Sequence, residues 1–365
     1  MIEPFLTQHQ FTICVRVCQA WRAIFTPFLW RHVERKSWYR SDDSWEDVFS
    51  QCCASGALNT NGHWIQSINL VTYEEGYLNG FLEHAPPTFL RLTSAEFTDV
   101  ESDMAIADLI DRGKGGWKKI VIYGCYECVC FDSLSAEALL KHASTLEILT
   151  MESAPGFSSK YIQQLLCTAP KLKEFYLLGP ERLRDNVDGT LDVRDVVESE
   201  WVCTELEVFG CQIGNIPRPD ITRTIDGHPA SNYVVKGTLE ESIDLQRRVC
   251  SQLGRLTRLT ELTLGTSFKS YWGGVPEYHR LYDCLSLALE SGLDLLCNLK
   301  ELQIFELNDM EVLATTLSNS THNDYCQNHR EHPRKITTDP YQLTEALTGR
   351  PAQPLNKPTF LAILL

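Results

Sequence analysis

The chain has 365 residues, 43% of them apolar and 22% charged, with a formal net charge of −15 and a sequence pI near 5.1. That length accommodates two ordinary domains or a small module followed by an elongated array, and the composition excludes wholesale disorder and fibrous classes. The acidic balance, uninterrupted by any Lys/Arg cluster, argues against nucleic acid as a partner, and no apolar run approaches the ~20 residues of a membrane helix.

The N-terminus lacks the basic-then-apolar layout of a secretory signal, so the chain is expected inside the cell, in the cytoplasm or the nucleus. Fourteen cysteines scattered through such a chain are then expected to be reduced and mostly buried, acting as small hydrophobes.

In chain order, the first element is a short helical module over residues 1–34. Phe11, Cys14, Val17, Cys18, Trp21, Ile24 and Phe25 recur at spacings of three and four, which predicts one helix with a broad apolar face. Thr26-Pro27 is expected to break it, and Phe28, Leu29 and Trp30 add a second apolar cluster, so the segment is expected to be a compact helical hairpin that needs a partner surface. Residues 35–61, polar and aromatic in mixture, are expected to link this module to a repeat array.

Residues 62–312 carry one recurring pattern: apolar, two variable residues, apolar, one variable residue, apolar. It runs through Ile65, Ile68, Leu70; Trp117, Ile120, Ile122; Leu146, Leu149, Met151; Leu172, Phe175, Leu177; Cys203, Leu206, Val208; Leu259, Leu262, Leu264; and Leu299, Leu302, Ile304. Cys125 and Cys211 stand three places beyond two of these triplets and complete the leucine-rich-repeat signature. First anchors succeed one another at 52, 29, 26, 31, 56 and 40 residues. Since such repeats run at about 20 to 29 residues, the two longest intervals predict a degenerate copy in each. One is expected around Phe89 to Phe97; the other is displaced by the Pro/Gly-rich stretch 213–237, which reads as a loop.

Met104 to Ile110, Ala136 to His142, Tyr161 to Cys167, Leu245 to Leu253 and Leu281 to Leu289 show helical periodicity ahead of the anchors. The unit is therefore helix, turn, strand. The expected fold class is α/β: a leucine-rich-repeat solenoid with parallel strands on its concave face and helices outside, preceded by the small helical segment. Gly113 to Gly116 stops one helix before the strand at Trp117. On the concave face the residues expected to project are Lys119 and Tyr123, Glu147 and Thr150, Glu174 and Tyr176, Glu205 and Glu207, Glu261 and Thr263, and Glu301 and Gln303. An acidic surface with tyrosines suits a protein target, and Tyr123, Glu147, Glu174, Tyr176, Glu205 and Glu261 are its candidate contacts. Residues 313–365, rich in Asn, Thr, His and Pro, are expected to form a flexible polar tail.

Two thiol-containing clusters fall short of a structural metal site: Cys125, Cys128 and Cys130 have no second pair, and Cys326, His329 and His332 offer three ligands on no fixed scaffold. Cys52-Cys53 reads as a buried helix end. No nucleophile elbow, phosphate loop, dinucleotide turn or His-Glu zinc motif occurs, so neither enzyme activity, a metal nor a cofactor is expected.

Val17-Cys18-x-x-Trp21 followed by Pro27-x-x-Trp30 resembles the second half of an F-box, and its combination with a cysteine-containing leucine-rich array is similar to fungal F-box/leucine-rich-repeat proteins of the ribonuclease-inhibitor-like type. The likeness covers about 30 residues at the N-terminus and, more loosely, Trp64 to Leu307, where LKELQIFEL and the Trp201-x-Cys203 opening look like family copies. It departs from the family at the start: Met1 stands where the first F-box helix should end, Ile2-Glu3-Pro4 does not supply the Leu-Pro-x-Glu opening, and the F-box is expected to be truncated. The resemblance implies a substrate receptor of an SCF-type (cullin) ubiquitin ligase. Val17, Cys18, Trp21 and Trp30 would complete the surface for the Skp-type adaptor, and a target protein of unknown identity would sit on the concave face. A ubiquitin-independent interaction scaffold is the alternative, with the same residues capping the first repeat.

Overall fold

The computed structural model describes residues 6–35, 54–70, 77–98, 102–123, 131–152, 157–178, 190–219, 224–225, 228–229, 236–265, 285 and 290–308. Two compact units divide the chain, Met1–Phe157 and Ser158–Leu365.

The first unit alternates helices and strands: α1 (Gln8–Val17), α2 (Gln19–Leu29), β1 (His32–Arg35), α3 (Ala57–Asn61), β2 (Ser67–Leu70), α4 (Tyr77–His84), β3 (Ser94–Thr98), α5 (Asp103–Arg112), β4 (Lys119–Tyr123), α6 (Ser133–Leu140) and β5 (Ile148–Glu152). Its five strands pair in chain order and all in parallel. The second unit contains α7 (Ser159–Thr168), β6 (Glu174–Leu178), β7 (Thr190–Asp192), α8 (Val193–Glu198), β8 (Val208–Gly214), β9 (Thr224–Ile225), β10 (His228–Pro229), α9 (Leu239–Gly254), β11 (Glu261–Gly265) and β12 (Ile304–Asn308). Strands β6, β8, β11 and β12 pair in parallel in that order, β7 lies parallel to the far end of β8, and β9 and β10 form a small antiparallel pair. Each unit is thus α/β, with parallel strands joined by crossovers long enough to carry a helix.

The anchors explain why. Seven triplets, Ile65-Ile68-Leu70, Leu92-Ala95-Phe97, Trp117-Ile120-Ile122, Leu146-Leu149-Met151, Leu172-Phe175-Leu177, Leu206-Phe209-Cys211 and Leu259-Leu262-Leu264, are at most 2% exposed at every member. The last two members of each lie two apart on a strand, so they share one face and pack against the helices. Those helices bury matching stripes: Ile106, Leu109 and Ile110 on α5, Ile162, Leu165 and Leu166 on α7, Leu245, Val249 and Leu253 on α9. Capping fixes their starts, with the Ser102 hydroxyl accepting from the Ala105 amide and the Thr238 hydroxyl from the Glu241 amide. Burial of each large aliphatic or aromatic anchor contributes about 1.5–3 kcal/mol.

One turn precedes most strands. The amide of the first anchor donates to the carbonyl three residues earlier at Ile65, Leu146, Leu172, Leu206, Leu259 and Leu302. The residue after the first anchor then offers its carbonyl to two successive amides of the next strand. Arg31 accepts from Gln66 and Ser67, Gln66 from Thr93 and Ser94, Thr93 from Lys118 and Lys119, and Lys118 from Glu147 and Ile148. In the second unit Lys173 accepts from Glu207 and Val208, Glu207 from Thr260 and Glu261, and Thr260 from Gln303 and Ile304.

Near Phe89 to Phe97, where a degenerate copy is expected, lies the parallel strand β3, with Leu92, Ala95 and Phe97 buried. Several other expectations are corrected. β8 pairs directly with β11, so the 56-residue interval adds no further strand to that sheet, and β9 and β10 pair only with each other. The stretch 213–237 is not loop throughout: β8 runs to Gly214, and Ile213 and Ile216 are buried.

Two triplets are displaced by three residues. Register pairs Phe175 with Phe209 and Leu262 with Phe305, so the anchors of β8 are Leu206-Phe209-Cys211, and in β12 Phe305, not Leu302, stands in the place of Leu262. Cys203 and Leu299 are the buried residues three places before the first anchor, a position also filled by Phe89, Ala143, Ala169 and Leu256. Three-residue apolar spacing on both sides of Leu206 and Leu302 makes the pattern fit twice.

At the N-terminus the two helices of the expected hairpin meet at Cys18 and not at Thr26-Pro27. Cys18 adopts extended backbone (φ −160°, ψ 171°) and ends α1, whereas Pro27 lies inside α2 and the Trp30 amide still closes on the Thr26 carbonyl. Residues 32–35 form β1, and the residues between it and the array include α3. Of the helix expected at Leu281 to Leu289, only Leu285 is described, and it is buried. The tail 313–365 lies outside the described residues.

Candidate functional site

Two surfaces emerge from these elements: the side of each sheet facing away from the helices, and the N-terminal helical hairpin.

Strand alternation places every second residue on the open side of a sheet. In the second unit, register aligns Glu174, Val208, Glu261 and Ile304 in one row and Tyr176, Gly210, Thr263 and Glu306 in the next. Glu174 and Glu261 therefore flank Val208, all three half-buried, and Ile304 is 40% exposed at the end of the row. Thr263 is fully buried although it alternates with the core anchors Leu262 and Leu264. Tyr176 packs beside Gly210, the one position of its row without a side chain.

In the first unit the corresponding rows are His32, Ser67, Ser94, Lys119 and Ile148, then Glu34, Asn69, Glu96, Val121 and Thr150. His32 Nδ1 and Ser67 Oγ are 2.6 Å apart, and burial with the nearby Arg31 charge lowers the His32 pKa. Lys119 Nζ stands 4.0 Å from the Glu96 carboxylate. Tyr123 ends β4 in register with Glu152.

Of the predicted target contacts, Glu174, Tyr176 and Glu261 thus share one open face, and Tyr123 lies on the open face of the other unit. Glu147 and Glu205 do not belong to these rows. Glu147 precedes β5 and pairs with Lys118 at 3.3 Å, and Glu205 sits in the turn before β8, where it pairs with Arg258. Counting on the displaced triplet puts Glu205 on the strand; the true register gives that place to Val208 and Gly210.

The hairpin is built by aromatic contact. Phe11 of α1 lies 6.0 Å from Phe25 and 5.8 Å from Phe28 of α2, and Trp21 lies 5.5 Å from Phe25. Around this centre the surface is open: Ile13 is 53% exposed, Val17 58%, Trp21 44% and Ile24 57%. Cys18 is exposed at the break between the helices. Trp30 differs, being half-buried at the end of α2 and, by the register of β1 on β2, occupying the first-anchor place equivalent to Ile65. Sequence spacing alone does not reveal that role, because the four-residue strand beyond Trp30 is too short to stand out from the helical segment.

Among the described cysteines, Cys203, Cys211 and Cys250 are buried, and desolvation pushes each thiol up to about 12. Such thiols are poor nucleophiles and poor metal ligands. Cys14 and Cys167 are half-buried and Cys18 and Cys297 exposed, so burial is less general than the sequence suggests. No metal-ligating cluster occurs among the described residues, and no described helix is long and apolar enough to cross a membrane. Cys52, Cys53, Cys125, Cys128, Cys130, Cys326, His329 and His332 lie outside the described residues.

No family model matches this chain, and no curated protein matches it.

Proposed function

We propose that this chain is a leucine-rich-repeat recognition subunit, a substrate receptor of an SCF-type ubiquitin ligase acting in the cytoplasm or nucleus. The open faces of its parallel strands hold a target protein, and the α1–α2 hairpin docks on the Skp-type adaptor. The ligase supplies the chemistry and the receptor supplies proximity; the chain itself is not an enzyme.

The observation that carries this reading is the recurrence of one unit, in which the same amide-to-carbonyl turn precedes six strands and seven anchor triplets are buried at every member. A stack of such units leaves a broad strand surface suited to gripping a folded partner. The exposure of Val17 and Trp21, two of the residues that resemble the F-box, supports the adaptor half of the proposal. Affinity capture of a purified Skp-type adaptor by the full chain tests it. Retention by wild type and loss with Trp21→Ala are expected; no retention by either protein sinks the ligase reading.

One observation favours a second reading, a ubiquitin-independent scaffold. β1, which follows the hairpin directly, is the edge strand of its sheet, and Trp30 occupies the first-anchor position ahead of it, so the same segment also supplies the first strand of the array. Under that reading, residues 1–33 serve only stability, and target binding by the strand faces proceeds without any adaptor.

A further inference from the structure

Nine consecutive residues, Arg16, Val17, Cys18, Gln19, Ala20, Trp21, Arg22, Ala23 and Ile24, are all exposed where α1 gives way to α2. Three of them are large and apolar, two are arginines and none is acidic. The charge pattern reaches further. Between Pro4 and Val33 the chain has Arg16, Arg22 and Arg31 and not one Asp or Glu, within a protein of 48 acidic and 33 basic residues. Arg31 is engaged with Gln66 at 2.6 Å, which leaves Arg16 and Arg22 as the cations of the elbow. Arg22 also touches the Val15 carbonyl at 3.4 Å, so its stem is held across the elbow.

We infer that the Arg16–Ile24 elbow takes a protein surface with an apolar groove rimmed by carboxylates: Val17, Trp21 and Ile24 enter the groove, and Arg16 and Arg22 meet the rim. This rests on the reading of the hairpin as a docking module and adds the chemistry of its partner. Exposed apolar side chains of this size need a partner that removes them from water, while a cationic rim without internal carboxylates is satisfied by an acidic one. A protein fits better than an anionic bilayer. An interfacial helix needs one continuous apolar face, and here extended Cys18 divides two short helices whose rings Phe11, Phe25 and Phe28 turn towards each other.

The test uses the full chain with purified Skp-type adaptor as probe, wild type against Arg16→Gln/Arg22→Gln and Trp21→Ala, at about 50 mM and about 500 mM salt, where screening lengths differ severalfold. Sedimentation with phosphatidylcholine/phosphatidylserine vesicles forms a second arm. Expected are an association rate about tenfold lower for the double glutamine variant at low salt, convergence with wild type at high salt, and a dissociation rate raised at both salts by Trp21→Ala. Adaptor binding that ignores both salt and the arginine changes overturns the inference and leaves the docking reading standing. Absence of adaptor binding at either salt removes the docking reading and the inference with it. Vesicle binding abolished by the arginine changes overturns it in favour of a lipid surface. Unchanged circular dichroism of the variants confirms that a loss lies in contact and not in folding.

Discussion

Tyr176 on β6 packs against Gly210 on β8 so closely that a Cβ added at Gly210 would lie 2.7 Å from its Cε2. The two residues stand opposite each other in the parallel register, so the missing side chain on one strand makes room for the ring on the next. Gly210→Ala is therefore expected to destabilise the second unit by about 1–3 kcal/mol through overpacking. Urea unfolding measures it, and Tyr176→Ala in the same chain should recover most of the loss by removing the ring.

The register of β8 predicts an asymmetry between adjacent residues. Phe209 is fully buried against Phe175 at 5.8 Å and Trp201 at 5.5 Å, whereas Val208 is half-buried on the open side. Phe209→Ala is expected to cost about 3–5 kcal/mol and Val208→Ala less than about 1 kcal/mol. Equal losses would mean that Val208, and with it the displaced triplet, belongs to the core.

Asp103 joins two helices of the first unit. Its carboxylate accepts from the amides of Asp132 at 2.9 Å, Leu134 at 3.0 Å and Ser135 at 3.0 Å, and from the Ser135 hydroxyl. These amides open α6, so a residue of α5 caps its neighbour and places a negative charge at its N-terminus. Asp103→Ala should cost about 1–2 kcal/mol, with faster amide exchange at Leu134 and Ser135. Unaltered exchange there would contradict the cross-helix cap.

The buried thiols set a pH dependence. Cys203, Cys211 and Cys250 keep their protons up to about 12 in the folded chain, while unfolded thiols ionise from about 9. Between those values the folded state binds more protons, so stability is full below about pH 9 and falls as pH rises, by at most about 1.4 kcal/mol per pH unit for each thiol. Cys250→Ala should flatten the alkaline slope. Native alkylation should label Cys18 and Cys297 and leave the three buried thiols intact until the chain unfolds.

Much of this architecture is visible in the spacing of apolar residues. Leu146-Leu149-Met151 and Leu172-Phe175-Leu177 mark their strands without ambiguity, since Ala143 and Ala169 ahead of them are too small to imitate an anchor. At Cys203 and Leu299 the preceding residue is a credible anchor itself, and only hydrogen-bond register separates the two fits. That error passes directly to the site, because alternation turns a three-residue displacement into the opposite face. β3 is harder to find for another reason: its middle anchor is Ala95, which gives a weak apolar signal although the space around it is fully buried.

The break at Cys18 is hidden because helical spacing continues across it. Apolar residues at three and four apart on α1 and again on α2 produce one uninterrupted pattern, and neither Gly nor Pro marks the junction. Pro27 gives the opposite impression, since a proline two residues from a helix end removes a single backbone donor without stopping the turn.

The proposed docking of the hairpin on a Skp-type adaptor is tested most directly by size-exclusion chromatography with mass measurement of the two purified proteins mixed at micromolar concentration. A stoichiometric complex with wild type, absent with Trp21→Ala, is predicted. Elution of wild-type chain and adaptor as separate species would contradict it.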